Sequence, residues 1–155
     1  MIVRDPDALR GEVERFMAGL LPRTDRATVV TLSGELGAGK TAFVKAAAKR
    51  LGVQEHVTSP TFVIMKIYDL EGQAFKRLVH IDAYRLKGAH HLKVLGWDSL
   101  LGDPKNLIFV EWPEQAGDGI PADAVRITLR YSGDNERTIS YQGSHEETTE
   151  AIGTA

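Results

Sequence analysis

The chain has no cysteine among its 155 residues. Disulfides, thiolate zinc sites and cysteine nucleophiles are therefore excluded. It also lacks a long apolar run: no stretch approaches the ~20 residues that a membrane-spanning helix needs. The opening segment, MIVRDPDALRGEVERFM, carries early acids and no extended apolar core, so a secretory signal is not expected. Charge of either sign is not in excess, since 19 Lys and Arg face 21 Asp and Glu, a formal net charge of −2. A protein that wraps a nucleic-acid backbone unaided needs a basic stripe, which this balance does not supply. No internal repeat and no Pro- or Ser-rich linker divides the chain. What is present, 43% hydrophobic and 26% charged residues, suits one globular domain with its own core, placed by default in the cytoplasm and away from membranes.

Hydrophobic spacing predicts the elements. Asp5-Pro6 has the form of a helix start, because Asp caps and Pro suits the first helical position. Leu9, Val13, Phe16, Met17 and Leu20 then recur at helical spacing, and the helix is expected to end near Leu21-Pro22. Thr28–Leu32 is a short β-branched run, expected as a buried strand that ends at Gly34. Thr41–Leu51 is a strong helix with Gly52 as its stop. Thr61–Leu70 and Phe75–Ile81 are expected strands joined by a turn at Glu71-Gly72-Gln73. A short helical stretch follows around His90–Leu101, then a buried strand at Leu107–Val110. Val125, Ile127, Leu129 and Tyr131 alternate with polar residues, the pattern of a half-exposed strand, and Ser132–Glu136 turns into Arg137–Tyr141. Residues 1–143 should form the domain. Residues 144–155, small, polar and acidic, should form a flexible tail.

Gly34-Glu35-Leu36-Gly37-Ala38-Gly39-Lys40-Thr41 matches G-x-x-x-x-G-K-[ST] at every fixed position. By composition alone such a match arises in about 1 chain of 200 at this length. Here it also lies between a predicted strand and a predicted helix, the context its chemistry requires. Glycines let the backbone curl so that successive N–H groups, here of residues 35 to 42, point at phosphate oxygens. The following helix adds the positive end of its dipole. Lys40 reaches the β and γ phosphates, and Thr41 offers a hydroxyl to magnesium. The plainer alternative, a glycine-rich turn without a ligand, gives Lys40 and Thr41 no reason to sit there together. The expected fold is thus α/β, a single-domain P-loop NTPase whose mixed sheet is mainly parallel at its centre and flanked by helices.

Such a loop needs an acid for magnesium, usually at the end of a neighbouring strand. Asp82 follows Leu78-Val79-His80-Ile81, and Glu111 follows Leu107-Ile108-Phe109-Val110. Both close apolar strands, where ligands of α/β sheets collect. Either could bind magnesium, directly or through water, and Glu111 could instead orient the attacking water. Thr58-Ser59-Pro60-Thr61 could contact a γ-phosphate or a magnesium water, or be a plain Pro turn. Trp112 could pack on a base or fill the core. His80-x-Asp82 sets two potential ligands on one strand face, short of a closed metal site. His90-His91 is expected on a solvated helix surface, and Arg126 and Arg130 share one strand face.

Absent motifs narrow the class. A GTPase needs D-x-x-G and N-K-x-D; Asp82-Ala83-Tyr84-Arg85 lacks the Gly, and no N-K-x-D occurs. A small kinase needs an Arg-rich lid and an acceptor site, and no lid insertion is visible. A transporter ATPase or motor would be larger. What remains is a minimal ATPase that works with a partner; a small-molecule kinase and a non-catalytic nucleotide switch are the alternatives.

GELGAGKT (34–41), TSPTF (58–62), HIDAYRL (80–86), LGWDSLL (95–101) and VEWPE (110–114) occur in series over roughly Asp5 to Tyr141. In these motifs the chain resembles the bacterial TsaE (YjeE) family of tRNA threonylcarbamoyladenosine biosynthesis. The resemblance implies a cytoplasmic ATPase that associates with TsaD and TsaB, which transfer threonylcarbamoyl to the adenosine beside the anticodon. ATP hydrolysis by the TsaE member would reset that assembly, and tRNA would be met through the complex. It also implies ATP and magnesium contacts at Lys40 and Thr41, a switch-like role for Thr61, acids near magnesium at Asp82 and Glu111, and Trp112 near the nucleotide. Ala42 stands where many members have a second Thr, removing a hydroxyl near the α-phosphate. Phe62 stands where Tyr is frequent, and the segment before Leu95 carries His and Lys where acids are common.

Overall fold

A computed structural model of the chain describes residues 2–35, 37–55, 57, 65–132 and 136–143. The expectations for Leu36, for residues 58–64 (the hydroxyl-rich segment and the first part of the strand predicted over 61–70), for the middle of the turn before Arg137 and for the tail 144–155 lie outside the described residues. The elements are β1 (Ile2–Val3), α1 (Pro6–Ala18), β2 (Thr28–Ser33), α2 (Lys40–Arg50), β3 (Met65–Asp69), β4 (Arg77–Asp82), α3 (Ala89–Val94), α4 (Trp97–Leu101), β5 (Asn106–Glu111), a 3-10 segment (Pro113–Gly119), β6 (Val125–Tyr131) and β7 (Arg137–Gln142).

The strands form one sheet of order β1-β7-β6-β2-β5-β4-β3. Its centre is parallel, β6, β2, β5 and β4, and the flanking strands β3, β7 and β1 join antiparallel. This is the mixed α/β domain that the sequence predicts. β2 and β5 read TVVTLS and NLIFVE without alternation because helices cover both faces of the sheet at these two strands. β6 alternates because only one of its faces is deeply covered.

The two faces have separate cores. On one face α1 and α2 pack with Val30, Leu32, Leu78, Leu107, Phe109, Ile127 and Leu129. Phe43 of α2 stands edge-on to Phe109 of β5 at 6.4 Å and to Phe16 of α1 at 5.7 Å. That contact locks the helix after the phosphate loop onto the sheet. On the other face α3, α4 and the 3-10 segment pack with Val29, Val79, Ile81, Ile108 and Val110.

α1 starts as predicted, with Pro6 at its first turn and Asp5 Oδ1 accepting from the Ala8 N–H at 2.7 Å. It ends earlier than predicted, at Ala18. Gly19 caps it with its N–H on the Phe16 carbonyl, and Leu21 is left 70% exposed. The helical stretch predicted around 90–101 is two short helices, because Gly96 adopts φ 85° between them.

Candidate functional site

The parallel order directs the C-terminal ends of β2, β5, β4 and β6 to one edge of the sheet. There β2 runs into Gly34, and α2 begins at Lys40. Two glycines are required by the geometry. A Cβ on Gly34 would collide with the backbone carbonyl of Leu129 in β6, so the loop can hug the sheet only without one. Gly39 caps α2 at φ 106°, a conformation that side chains disfavour.

Lys40 is 5% exposed and turns back over the loop. Its ammonium donates to the Gly34 carbonyl and, at 2.9 Å, to that of Glu35, and it sits 4.3 Å from the centre of the Trp112 ring. Burial pushes the ammonium below the usual lysine range, while Glu111, Glu114, Asp82 and Glu35 pull it back up. Trp112 reaches this place by an unusual backbone. At φ 59°, ψ 53° it is the one non-glycine with positive φ among the described residues. Such a conformation costs about 1–3 kcal/mol and persists where its surroundings over-determine it. Here the Trp112 N–H donates to the Leu32 carbonyl at 3.2 Å, Pro113 follows, and Tyr84 packs edge-on to the ring at 5.1 Å.

Glu111 ends β5, the direct neighbour of β2, and is 3% exposed. Its two carboxylate oxygens lie 3.1 and 3.2 Å from the Thr41 hydroxyl. Asp82 ends β4, one strand further out, opposite Glu111 in the ladder. Its Oδ1 accepts from the Tyr84 N–H at 3.1 Å. The structure therefore brings Lys40, Thr41, Glu111, Asp82 and Trp112 to one end of the sheet, with Glu35, Gly37, Ala38 and Gly39 in the loop and Ala42 exposed on α2. Leu36 and Thr61 lie outside the described residues.

Two contacts escape sequence reasoning. His80, fully buried, sets Nε2 2.6 Å from Glu111 Oε2; its only signal is a polar residue in an apolar strand, two before Asp82. Arg137 on β7 reaches the loop, with Nη2 donating to the Gly37 carbonyl at 3.4 Å. A separation of 100 residues leaves no local signal for that pair. Beside the loop a cleft of about 730 Å³ opens between Gly34, Glu35, Trp112, Gln115, Leu129 and Arg130.

The donor set suits magnesium. Among the described residues no three His, Asp or Glu side chains gather closely enough to hold a metal by themselves. A hydroxyl and two carboxylates, all oxygen, fit a cation that keeps several waters and takes further ligands from phosphate.

A sequence model of the threonylcarbamoyl adenosine biosynthesis protein TsaE matches residues 9–139. The chain is 42% identical over 132 residues to the tRNA threonylcarbamoyladenosine biosynthesis protein TsaE of Streptomyces coelicolor, covering 84% of this chain and 85% of that one. It is 36% identical over 113 residues to the Bacillus subtilis protein of the same name, covering 73% and 68%, and 36% identical over 116 residues to that of Treponema pallidum, covering 75% and 82%. A crystal structure of Bacillus subtilis YdiB superposes with a TM-score of 0.74 at 27% identity, over 99% of this chain and 92% of that one. With its phosphate-loop motif in a P-loop NTPase fold and the match spanning most of its length, the chain belongs to the TsaE family of tRNA threonylcarbamoyladenosine biosynthesis proteins.

Proposed function

We propose that the protein is a magnesium-dependent ATPase, slow by itself, that serves tRNA threonylcarbamoyladenosine synthesis in the cytoplasm as a partner of TsaD and TsaB homologues. The observation that carries the reading is the contact between the Thr41 hydroxyl and Glu111 at the mouth of the loop. It joins the two groups that a P-loop ATPase needs around magnesium, one from the loop helix and one from the adjacent strand.

In this reading the loop N–H groups and the start of α2 bind the phosphates. Lys40 leaves its carbonyl partners for the β and γ phosphates, a small change of partner because its ammonium already lies over the loop. Thr41, Glu111 and Asp82 would hold magnesium, which would supply charge neutralisation on the phosphates. Glu111 or Asp82 orients a water in line with the γ-phosphorus. The new O–P bond forms as the bond to the β-γ bridging oxygen breaks, leaving ADP and phosphate. The base and sugar would enter the cleft beside Trp112 and Gln115, and Thr61 would belong to a segment that responds to the γ-phosphate. With a net charge of −2, tRNA contact falls mainly to the partners.

The test is ATP hydrolysis with and without magnesium, by the purified chain alone and with TsaD and TsaB homologues. A low basal rate raised severalfold by the pair, and lost in Lys40→Ala, is expected. Fast turnover by the chain alone would refute partner dependence, and hydrolysis that survives Lys40→Ala would refute the site.

A further inference from the structure

We propose that His80 is a positioning residue for Glu111, its imidazole Nε2–H holding the carboxylate against the Thr41 end of the phosphate loop. The inference deepens the proposed function and rests on its reading of Glu111 as a magnesium-site carboxylate.

His80 occupies the middle of the row Leu78–His80–Asp82, on the sheet face covered by α1 and α2. Its ladder partner is Phe109, and its side chain is completely buried. Packing alone would be served by another Leu, and an imidazole at such a place must recover the cost of leaving water. Its described recovery is a single short hydrogen bond, Nε2 to Glu111 Oε2 at 2.6 Å. A carboxylate only accepts, so Nε2 carries the proton. Nδ1 has no hydrogen-bond partner among the described residues. Residues two apart on one strand face the same way, and Asp82 is paired with Glu111, so His80 reaches Glu111 along the diagonal.

The consequence is directional. Glu111 is gripped from the sheet by His80 and from α2 by Thr41. The competing attraction is Lys40, for which Glu111 is the leading carboxylate neighbour. Without the His80 bond, Glu111 keeps only the Thr41 contact to set its place against that pull. The hydrogen bond at Nε2 keeps the two functions apart. This is the arrangement in which a partner behind a metal-binding carboxylate tunes the metal site without touching the metal.

The chain is tested as His80→Gln, His80→Asn, His80→Leu and Glu111→Gln, with a fluorescent non-hydrolysable ATP analogue titrated in EDTA and in magnesium. His80→Asn and His80→Leu should lower the magnesium-dependent gain in affinity about 10-fold while changing the affinity in EDTA by less than about two-fold. His80→Gln, whose amide nitrogen can take the place of Nε2, should restore the gain. An equal loss in EDTA and in magnesium, or a loss in His80→Gln as large as in His80→Asn, would mark a packing role and overturn the proposal. Glu111→Gln separates the two readings. If it leaves the magnesium gain intact, the magnesium role of Glu111 falls and the proposal with it. If it removes the gain while His80→Asn does not, the positioning role alone falls. Should His80→Leu fail to fold, the Gln and Asn variants decide. Long-range proton–nitrogen correlation spectra of histidine-labelled, magnesium-free protein give an independent readout: His80 should carry a proton on Nε2, and an Nε2 without a proton would overturn the assignment.

Discussion

Replacing Tyr141 by Phe removes one oxygen from the core between α1 and β7, and the structure sets the size of the effect. The Tyr141 hydroxyl donates to Glu12 Oε2 at 2.6 Å. Glu12 is 2% exposed; among the described residues its Oε1 has no hydrogen-bond partner, and Arg15 stands 3.8 Å from it. A hydrogen bond to a charged acceptor contributes about 1.5–3 kcal/mol, and the buried acceptor left behind keeps its desolvation cost. The variant should therefore lose about 2–3 kcal/mol at pH 8, a fall in Tm of roughly 4–12 °C for a domain of this size. The pH dependence carries its own sign. Burial, then the bond to Glu12, raises the Tyr141 phenol far above its ordinary range. A group whose folded pKa is raised contributes its full stability below its unfolded pKa, near 10 for Tyr, and loses it as pH climbs above that value. Phe has no such loss, so the gap between wild type and variant should narrow by about 1.4 kcal/mol at pH 11. Urea unfolding followed by circular dichroism at pH 8 and pH 11 measures both quantities. A gap under about 0.5 kcal/mol at pH 8, or one that stays constant to pH 11, would refute the buried donor–acceptor pair. In a Glu12→Gln background the effect of Tyr141→Phe should shrink to about 1 kcal/mol, the ordinary worth of a neutral hydrogen bond.

Thr41→Val keeps the shape of the side chain but removes the hydroxyl shared with Glu111. Magnesium-dependent nucleotide affinity should fall about 10-fold, the equivalent of ~1.4 kcal/mol. Calorimetric titration measures it, and an unchanged affinity would remove Thr41 from the metal site. Gly34→Ala should destabilise the protein by about 1–3 kcal/mol, because the added Cβ meets the Leu129 carbonyl at a backbone angle that alanine disfavours. An unaltered unfolding midpoint would show that the loop does not approach β6 so closely.

The elements most legible in the sequence are those whose local signals agree. Asp5-Pro6 marks the start of α1, and the β-branched run ending at Gly34 marks β2. The turn at 71–73 joins two antiparallel strands as expected. The end of α1 was less legible, since Leu20 extends the apolar spacing past Gly19, and only packing shows that the helix has stopped. At the site, the loop motif and the two strand-end acids announce themselves. The order in which they meet Thr41 does not, because it depends on β5 rather than β4 lying next to β2.

The sequence alone determines the phosphate-loop motif, the oxygen-bearing side chains at the strand ends, the absence of thiol chemistry and the α/β class. Each follows from which atoms a residue carries and from the period of its neighbours. The tertiary structure decides the partnerships: Glu111 with Thr41, His80 behind Glu111, Trp112 over Lys40, and Arg137 against the loop. These contacts join residues 31 to 100 positions apart along the chain, so no local pattern encodes them. They exist because strand order and register bring those positions within hydrogen-bonding reach.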